Sequence, residues 1–439
     1  MQFLLMMTFG VAVFGEYLTT LGAPLILKYT PEMFAILLAV LLVFRGVRNG
    51  FLLPAKYWFV LGTLAFIAVC GILTNSVGTG QILGGMRFYI RSMPLFILPA
   101  VYRFTPQQIE RQLKILLLFG LVQVPLTAYQ RYVVWSQGRF SGDDVRGTVM
   151  DSGMLSILLI CAVLVLTGLF MHKRIGRLKF FALFFLLLIP TTINETKATV
   201  LLLPAGLLTT IAMAAPRGQR LKIFALGASL LVAFGAILIP IYNLMNEKRH
   251  EQGNNIVDFF TNEQTMSQYL EGKHDINLGT RKPVARGQAL KVSTSYLAHD
   301  PVRLAFGLGL GNVSKSSLGE NFSGAYYPLF YNIAIMSFLV FLLEMGVLGV
   351  CLVFVLYWLL YRDSLYVGRE DPGITGAIAA GWVGTVVIIT AGTFYAPMHA
   401  YPSISFVFWY FSGLVAAQRY QLAHAAHKPA IRPAQAAAS

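Results

Sequence analysis

Apolar runs of roughly 18–25 residues follow one another along this chain, each closed by a short polar or basic turn. The pattern predicts about twelve membrane-spanning helices, over 3–26, 32–44, 57–74, 82–102, 110–134, 150–171, 178–193, 197–214, 222–244, 331–360, 374–395 and 402–420. A β-barrel would show short alternating segments instead of long unbroken apolar runs. The expected fold is an all-α polytopic membrane protein. One long stretch, from Asn246 to Pro328, is too polar for lipid to hold. It divides the chain into spans one to nine (1–245), a large loop with short helices (246–328), spans ten to twelve (329–421) and a disordered tail (422–439).

Composition agrees with the pattern. The 439 residues are 56% hydrophobic and 12% charged, about half the charged share of a soluble domain. The formal net charge of +15 raises nucleic acid as a partner, but the basic residues sit in short turns between spans. Arg45, Arg48 and Lys56, the run His172–Lys179, and Arg217, Arg220 and Lys222 all fall on one side. That asymmetry orients a membrane protein and builds no nucleic-acid groove. It places both termini in the cytoplasm and the large loop outside; the turn 362–371 alone is balanced to slightly acidic. The opening MQFLLMMTFG has no basic region or cleavage site and is read as the first span. Cys70, Cys161 and Cys351 lie far apart in apolar runs and form no disulfide or metal pattern.

Candidate chemistry crowds the outer side. Arg281, Lys282, Arg286 and Arg303 belong to the large loop, and Arg139 and Arg146 to the shorter GRFSGDDVRG. Guanidinium forks suit phosphate and diphosphate, and outer loops need positive charge for topology less than inner loops do. The plainer reading pairs them with Asp143, Asp144, Asp275 and Asp300 or with lipid headgroups. Arg87 and Arg91 share a helix face inside an apolar run, where they line a wet cavity or snorkel to the interface. Asn194-Glu195-Thr196-Lys197 is a short outer turn that caps helices or walls the same cavity. GLGLGN (Gly307–Asn312) follows no strand and lacks a GK[ST] ending, so it is a tight turn and not a nucleotide loop. The histidines fit no metal spacing; His299 is the preferred base if one is needed, and Glu344 is a lone carboxylate within a span.

The order of these pieces resembles the O-antigen polymerase and ligase superfamily, membrane glycosyltransferases of exported polysaccharide. The likeness covers most of the chain. It rests on a dozen spans, the long outer loop with an Arg early in its ordered part, DPVRLAFGLGLGN, the E-x-G-x-x-G of Glu344–Gly349, GRFSGDDVRGTV and ETKATVLLLP. Two departures stand beside it: PLFYN (Pro328–Asn332) carries no His where the ligases have one, and no outer Arg meets the Arg-x10-Gly spacing of some polymerases.

The resemblance implies a GT-C-like fold in the bacterial inner membrane. It implies polymerisation of an undecaprenyl-diphosphate-linked glycan, without cofactor or metal, beside a chain-length regulator or flippase. Arg281, Arg286 and Arg303, supported by Arg91 and Arg146, would contact diphosphate. Glu195 or His299 would be the base, and Arg87, Arg139, Lys197, Tyr331 and Asn332 further substrate contacts. A ligase of the same fold, a saccharide flippase and an inactive export partner are the alternatives.

Overall fold

In a computed structural model, residues 1–135, 142–214, 284–316, 318–333 and 335–427 are described, with isolated positions between 218 and 267. Among them there is no strand. The helices are α1 (Gln2–Thr20), α2 (Thr30–Asn49), α3 (Ala55–Thr74), α4 (Thr79–Ile90), α5 (Met93–Val101), α6 (Pro106–Tyr129), α7 (Ser152–Met171), α8 (Arg177–Ile193) and α9 (Ala198–Ala214). Within the large loop are α10 (Arg286–Ala298) and α11 (Pro301–Phe306), and after it come α12 (Ser337–Glu370), α13 (Ile374–Gly392) and α14 (Pro402–His427).

Seven of the described helices are long and apolar enough to cross a membrane: α1, α2, α3, α6 with its Gln130–Val134 extension, α7, α12 and α13. Hydrocarbon offers a backbone no hydrogen-bond partner, so a helix that pairs its own N–H and C=O groups is the form such runs can take. The protein is membrane-embedded, and its outer faces carry the apolar side chains lipid requires, among them Phe44, Phe59, Phe66, Leu73 and Leu178.

The centre of the bundle is α7 against α13, each 78% buried over its apolar window, whereas α1, α2 and α3 are below 30%. Small residues allow that approach. Gly168 of α7 meets the backbone of Ala377 and Gly381, and Gly384 of α13 meets Gly206 of α9. In a bilayer, where apolar contact alone gives little drive to associate, close backbone packing supplies the contact energy. Polar pins add direction: Trp382 Nε1 donates to Ser412 Oγ at 3.0 Å. Helix starts follow the side chains at hand. Thr105 and Gln108 close a capping box on α6, and Asp151 and Asp300 cap α7 and α11.

Three stretches differ from the expectation. The run 82–102 is two helices, α4 and α5, broken at Arg91–Ser92. The turn placed at 362–371 is helical through Glu370, because Asp363 is not solvated there. Its carboxylate is buried between Lys56 (2.5 Å), the Tyr57 hydroxyl (2.7 Å) and Arg419 (3.9 Å). The tail assigned as disordered from 422 continues α14 to His427, and 428–439 lie outside the described residues. Most of 222–244 and 246–283 also lie outside them.

The polar contacts between turns gather at two ends of the bundle. Asp363, Lys56, Arg419 and Arg174 mark one, with Arg174 donating to the Pro372 carbonyl at 2.6 Å. The residues Glu32, Arg91, Arg131, Asp151, Glu195, Arg286, Tyr395 and His399, with their contacts, mark the other, here called the Arg91 end.

Candidate functional site at the Arg91 end

The hub of this end is the connection between α13 and α14, residues 393–401. Arg91, at the break between α4 and α5, donates to the carbonyls of His399 (3.2 Å) and Ala400 (2.5 Å). Its other amino group meets Glu32 of α2 at 3.1 Å, and Arg87, one turn earlier, meets the same carboxylate oxygen at 2.5 Å. The i, i+4 spacing thus aims both guanidinium groups at one acid, as a shared helix face requires. From another side, half-buried Arg286 at the start of α10 donates from Nε to the Tyr395 carbonyl at 3.2 Å and stacks on that ring at 5.0 Å. Tyr401 donates to Asp151 at 3.2 Å, and Arg146 lies near enough to act on the Tyr401 hydroxyl electrostatically.

Beside the hub the Gly-rich loop finds its role. Gly307, Gly309 and Gly311 all have positive φ, a region closed to most side chains. This lets the loop run against Gly71 of α3 and Gly85 of α4. Leu308 N–H donates to the Leu343 carbonyl at 2.7 Å and Gly309 N–H to that of Glu344 at 3.2 Å. The fully buried Glu344 carboxylate accepts from Ser314 Oγ at 2.6 Å and Tyr89 Oη at 2.8 Å. The backbones of Gly311 and Val313 lie within hydrogen-bonding reach of it. Among the described residues no cation pairs with it. Gly346, two residues on, has φ +67° and kinks α12 against the Ala305 carbonyl. The loop is a nest of donors around the chain's own carboxylate.

Between α3, the α4–α5 break, α12 and α14 lies a cavity of about 650 Å³, walled mainly by apolar side chains such as Leu61, Ala68, Met345 and Phe408. Trp58, Val69 and Ile90, all exposed, line it, and the cavity is partly open to the outside of the bundle. At the Arg91 end its wall turns polar with Tyr89, Ser337, Thr393 and His399. His399 sits in the single turn Met398–Ala400, with Nδ1 2.9 Å from Ser337 Oγ. Its ring stacks on Tyr89 and packs against Phe88 and Phe341. Burial, and next the Arg91 guanidinium, push its pKa down to about 3, which leaves a neutral imidazole at any physiological pH.

The residues singled out in the sequence are distributed as follows. Arg87, Arg91 and Arg286 surround the hub, whereas Arg146 is exposed, pairs with Asp144 at 3.5 Å and reaches Tyr401 only electrostatically. Arg303 is not at the hub: it pairs with Asp300 at the start of its own helix at 3.4 Å and with Tyr296, which is about 15 Å along α10 from Arg286 at the helical rise. Glu195 and Lys197 lie in the adjoining 194–197 turn, where Glu195 has φ +56° and accepts from Arg131 at 2.6 Å, both side chains 9% exposed. Asn194 fastens that turn to the Ser152 carbonyl at 2.9 Å. His299 is exposed, with Nδ1 2.6 Å from the Ser295 carbonyl of its own helix, and does not line the cavity. Tyr331 is exposed beside Tyr327, and Asn332 is next to it. Arg139 and Arg281, with Lys282, lie outside the described residues.

Three groups of the site had no local signal. His399 depends on Ser337, 62 positions away. Arg131 reads as one more basic residue at a span end, and Glu32 as an ordinary first-turn acid. No metal-binding group of His, Cys, Asp or Glu occurs among the described residues. No protein-family model matches the chain, and no curated protein matches it.

Proposed function

We propose that this chain is a membrane glycosyltransferase that joins undecaprenyl-diphosphate-linked oligosaccharide units into an exported polysaccharide. One observation carries the reading: an apolar cavity, open to the bundle's surface, ends in a polar wall that includes His399, and Arg91 and Arg286 hold the same 393–401 turn. A long isoprenoid chain matches the apolar part, and a diphosphate matches the cationic end. In this reading the bundle has about twelve spans, and the Arg91 end faces away from the cytoplasm, because the basic turns 45–56 and 172–179 are at the opposite end.

The chemistry is a displacement at the anomeric carbon of the donor sugar. The acceptor hydroxyl oxygen forms the new bond as the bond from that carbon to the diphosphate oxygen breaks. The lipid diphosphate leaves with the electron pair, and its developing charge needs preorganised donors. Arg286, at the hub, is ranked first for that task, followed by Arg146 and by Arg281, which is near Arg286 in sequence. Arg91 and Arg87 hold the hub and the Glu32 carboxylate, and Arg303 is ranked below them. The acceptor proton goes to a base; Glu195, held by Arg131 in the next turn, is ranked before the surface His299.

The test is incubation of the purified protein in nanodiscs with a lipid-diphosphate-linked repeat unit, with the products resolved by gel. A ladder of lengthened glycans, lost in Arg286→Ala, is the expected result. Recovery of intact substrate under all conditions overturns the reading. Single transfer to a different lipid acceptor replaces polymerase by ligase.

A further inference from the structure

The Ser337–His399 pair fixes which ring nitrogen carries hydrogen. Ser337 Oγ receives the His399 backbone N–H at 3.3 Å, and its own hydrogen has two possible acceptors. The Ala396 carbonyl at 3.2 Å already takes the Ser337 N–H at 3.1 Å, and Nδ1 is nearer, at 2.9 Å. With the hydroxyl donating to Nδ1, a neutral imidazole bears its hydrogen on Nε2. Nε2 makes no hydrogen bond to the described residues, although the ring lines the cavity among Phe88, Tyr89 and Phe341. His399 is partly exposed to that cavity, so Nε2 is accessible to an acceptor that enters it.

We propose that His399 Nε2 donates to a phosphate oxygen of a lipid whose chain fills the cavity, and that binding this lipid takes up one proton at the imidazole. The lipid phosphate follows from the proposed function; the donor and its direction follow from the Ser337 geometry. An anion is favoured over a neutral acceptor because Arg91 makes the region positive. The charged and titratable groups around the ring are Arg91 and Tyr89 of the α4–α5 break, with Arg87 and Glu32 behind them. Glu344 of α12 is reached through Tyr89, and Arg286, Asp151 and Tyr401 lie around the same hub. Burial and Arg91 hold the empty site's imidazole neutral. A phosphate charge against Nε2 opposes both effects and returns the ring toward its ordinary range near 6.5.

The experiment is calorimetric titration of the full chain in nanodiscs of uncharged lipid, in two buffers of different ionisation enthalpy. The probe is a long-chain prenyl methyl phosphate, a diester with no ionisation of its own near neutrality, compared with the matching prenyl alcohol and inorganic phosphate. Expected are proton uptake on binding the diester at pH 6 and binding about fourfold tighter at pH 6 than at pH 7.5. The alcohol should show neither, and inorganic phosphate should bind far more weakly. H399Q, which keeps a donor, should bind the diester without the pH dependence, and H399F should bind it more weakly throughout.

Zero proton uptake by the unmodified chain overturns the proposal without recourse to any variant. So does an unchanged pH slope in H399Q, or inorganic phosphate binding as tightly as the diester. Proton-linked binding with no glycan formed in the transfer assay refutes the proposed function alone. Glycan formation without proton uptake refutes the role of His399 alone.

Discussion

The Arg91 guanidinium donates to the Ala400 carbonyl at 2.5 Å, across 309 positions of sequence. One side chain thereby ties the break between α4 and α5 to the turn that starts α14, and its second amino group takes Glu32 of α2. Truncation leaves two carbonyls without that donor and gives Glu32 only Arg87. Arg91→Ala is expected to lower stability by about 3–5 kcal/mol, as removal of one partner from a buried charged network does. Arg91→Lys should restore little, since a single ammonium does not reproduce the fork. Chemical denaturation in detergent, followed by tryptophan fluorescence, reads both; an Arg91→Ala loss below 1 kcal/mol would mean the pin is idle.

Glu344 is held by donors alone among its side-chain partners, Ser314 and Tyr89. Tyr89→Phe removes one donor from an acceptor that keeps others, and should cost about 1 kcal/mol. Glu344→Gln places an amide hydrogen against existing donors and should cost roughly 1–3 kcal/mol more than Tyr89→Phe. Combining the two should give less than the sum, because they share one contact. Additive losses would show that Tyr89 and Glu344 act separately.

The helical character of the chain is legible in its apolar runs because lipid leaves a spanning backbone few other forms. Where runs end is legible only if local polarity decides it. α7 and α8 end near the expected residues because polar groups stand at their ends in the sequence itself, Asp151 and His172 for α7 and Asn194 for α8. α12 continues past 362 because Lys56 and Tyr57, more than 300 positions upstream, cover Asp363, and no window of sequence contains that fact. The same reason hides His399: its partner Ser337 and its aromatic walls meet only in the folded bundle. Arg87 and Arg91 could be flagged as costly in an apolar run, but their acceptors come from α2 and the α13–α14 turn. Arg303 looks equal to Arg286 in sequence, and only the fold separates a cation on the hub from one paired along its own helix.

Gly309 has φ +92°, and a Cβ there would press on Val77 and the backbone of Gly71. Gly309→Ala should cost about 1–3 kcal/mol through strain, and more if α3 is pushed away. Gly71→Ala meets the same contact from the other side, so the double variant should be less damaging than the sum. Melting temperatures of the three variants in one detergent test this; a neutral Gly309→Ala would mean the loop is not packed as described.

His399 gives stability a defined pH dependence. Its folded pKa is pushed down to about 3 by burial and Arg91, against about 6.5 when unfolded. Between these values the unfolded chain binds the extra proton, so stability is complete above about pH 6.5 and falls as pH drops toward 3. The slope from this group is at most about 1.4 kcal/mol per pH unit. His399→Phe should flatten the stability curve between pH 4 and 6.5 relative to the unmodified chain. Curves that stay parallel over that interval would show that another group carries the dependence.

The guanidinium groups should separate by position in the transfer assay. Arg286 contacts Tyr395 at the hub, whereas Arg303 is engaged with Asp300 and Tyr296. If the leaving diphosphate is stabilised at the hub, Arg286→Ala removes an interaction that strengthens as charge develops. It should then lower kcat by about 100-fold or more, the scale of one lost oxyanion donor. Arg303→Ala, removing an exposed ion pair, should leave kcat within about threefold and stability within roughly 0.5 kcal/mol. Arg286→Lys should recover charge without the stacked, forked geometry and regain only part of the rate. Equal losses for Arg286→Ala and Arg303→Ala would move the diphosphate away from the hub and onto the surface of α10 and α11.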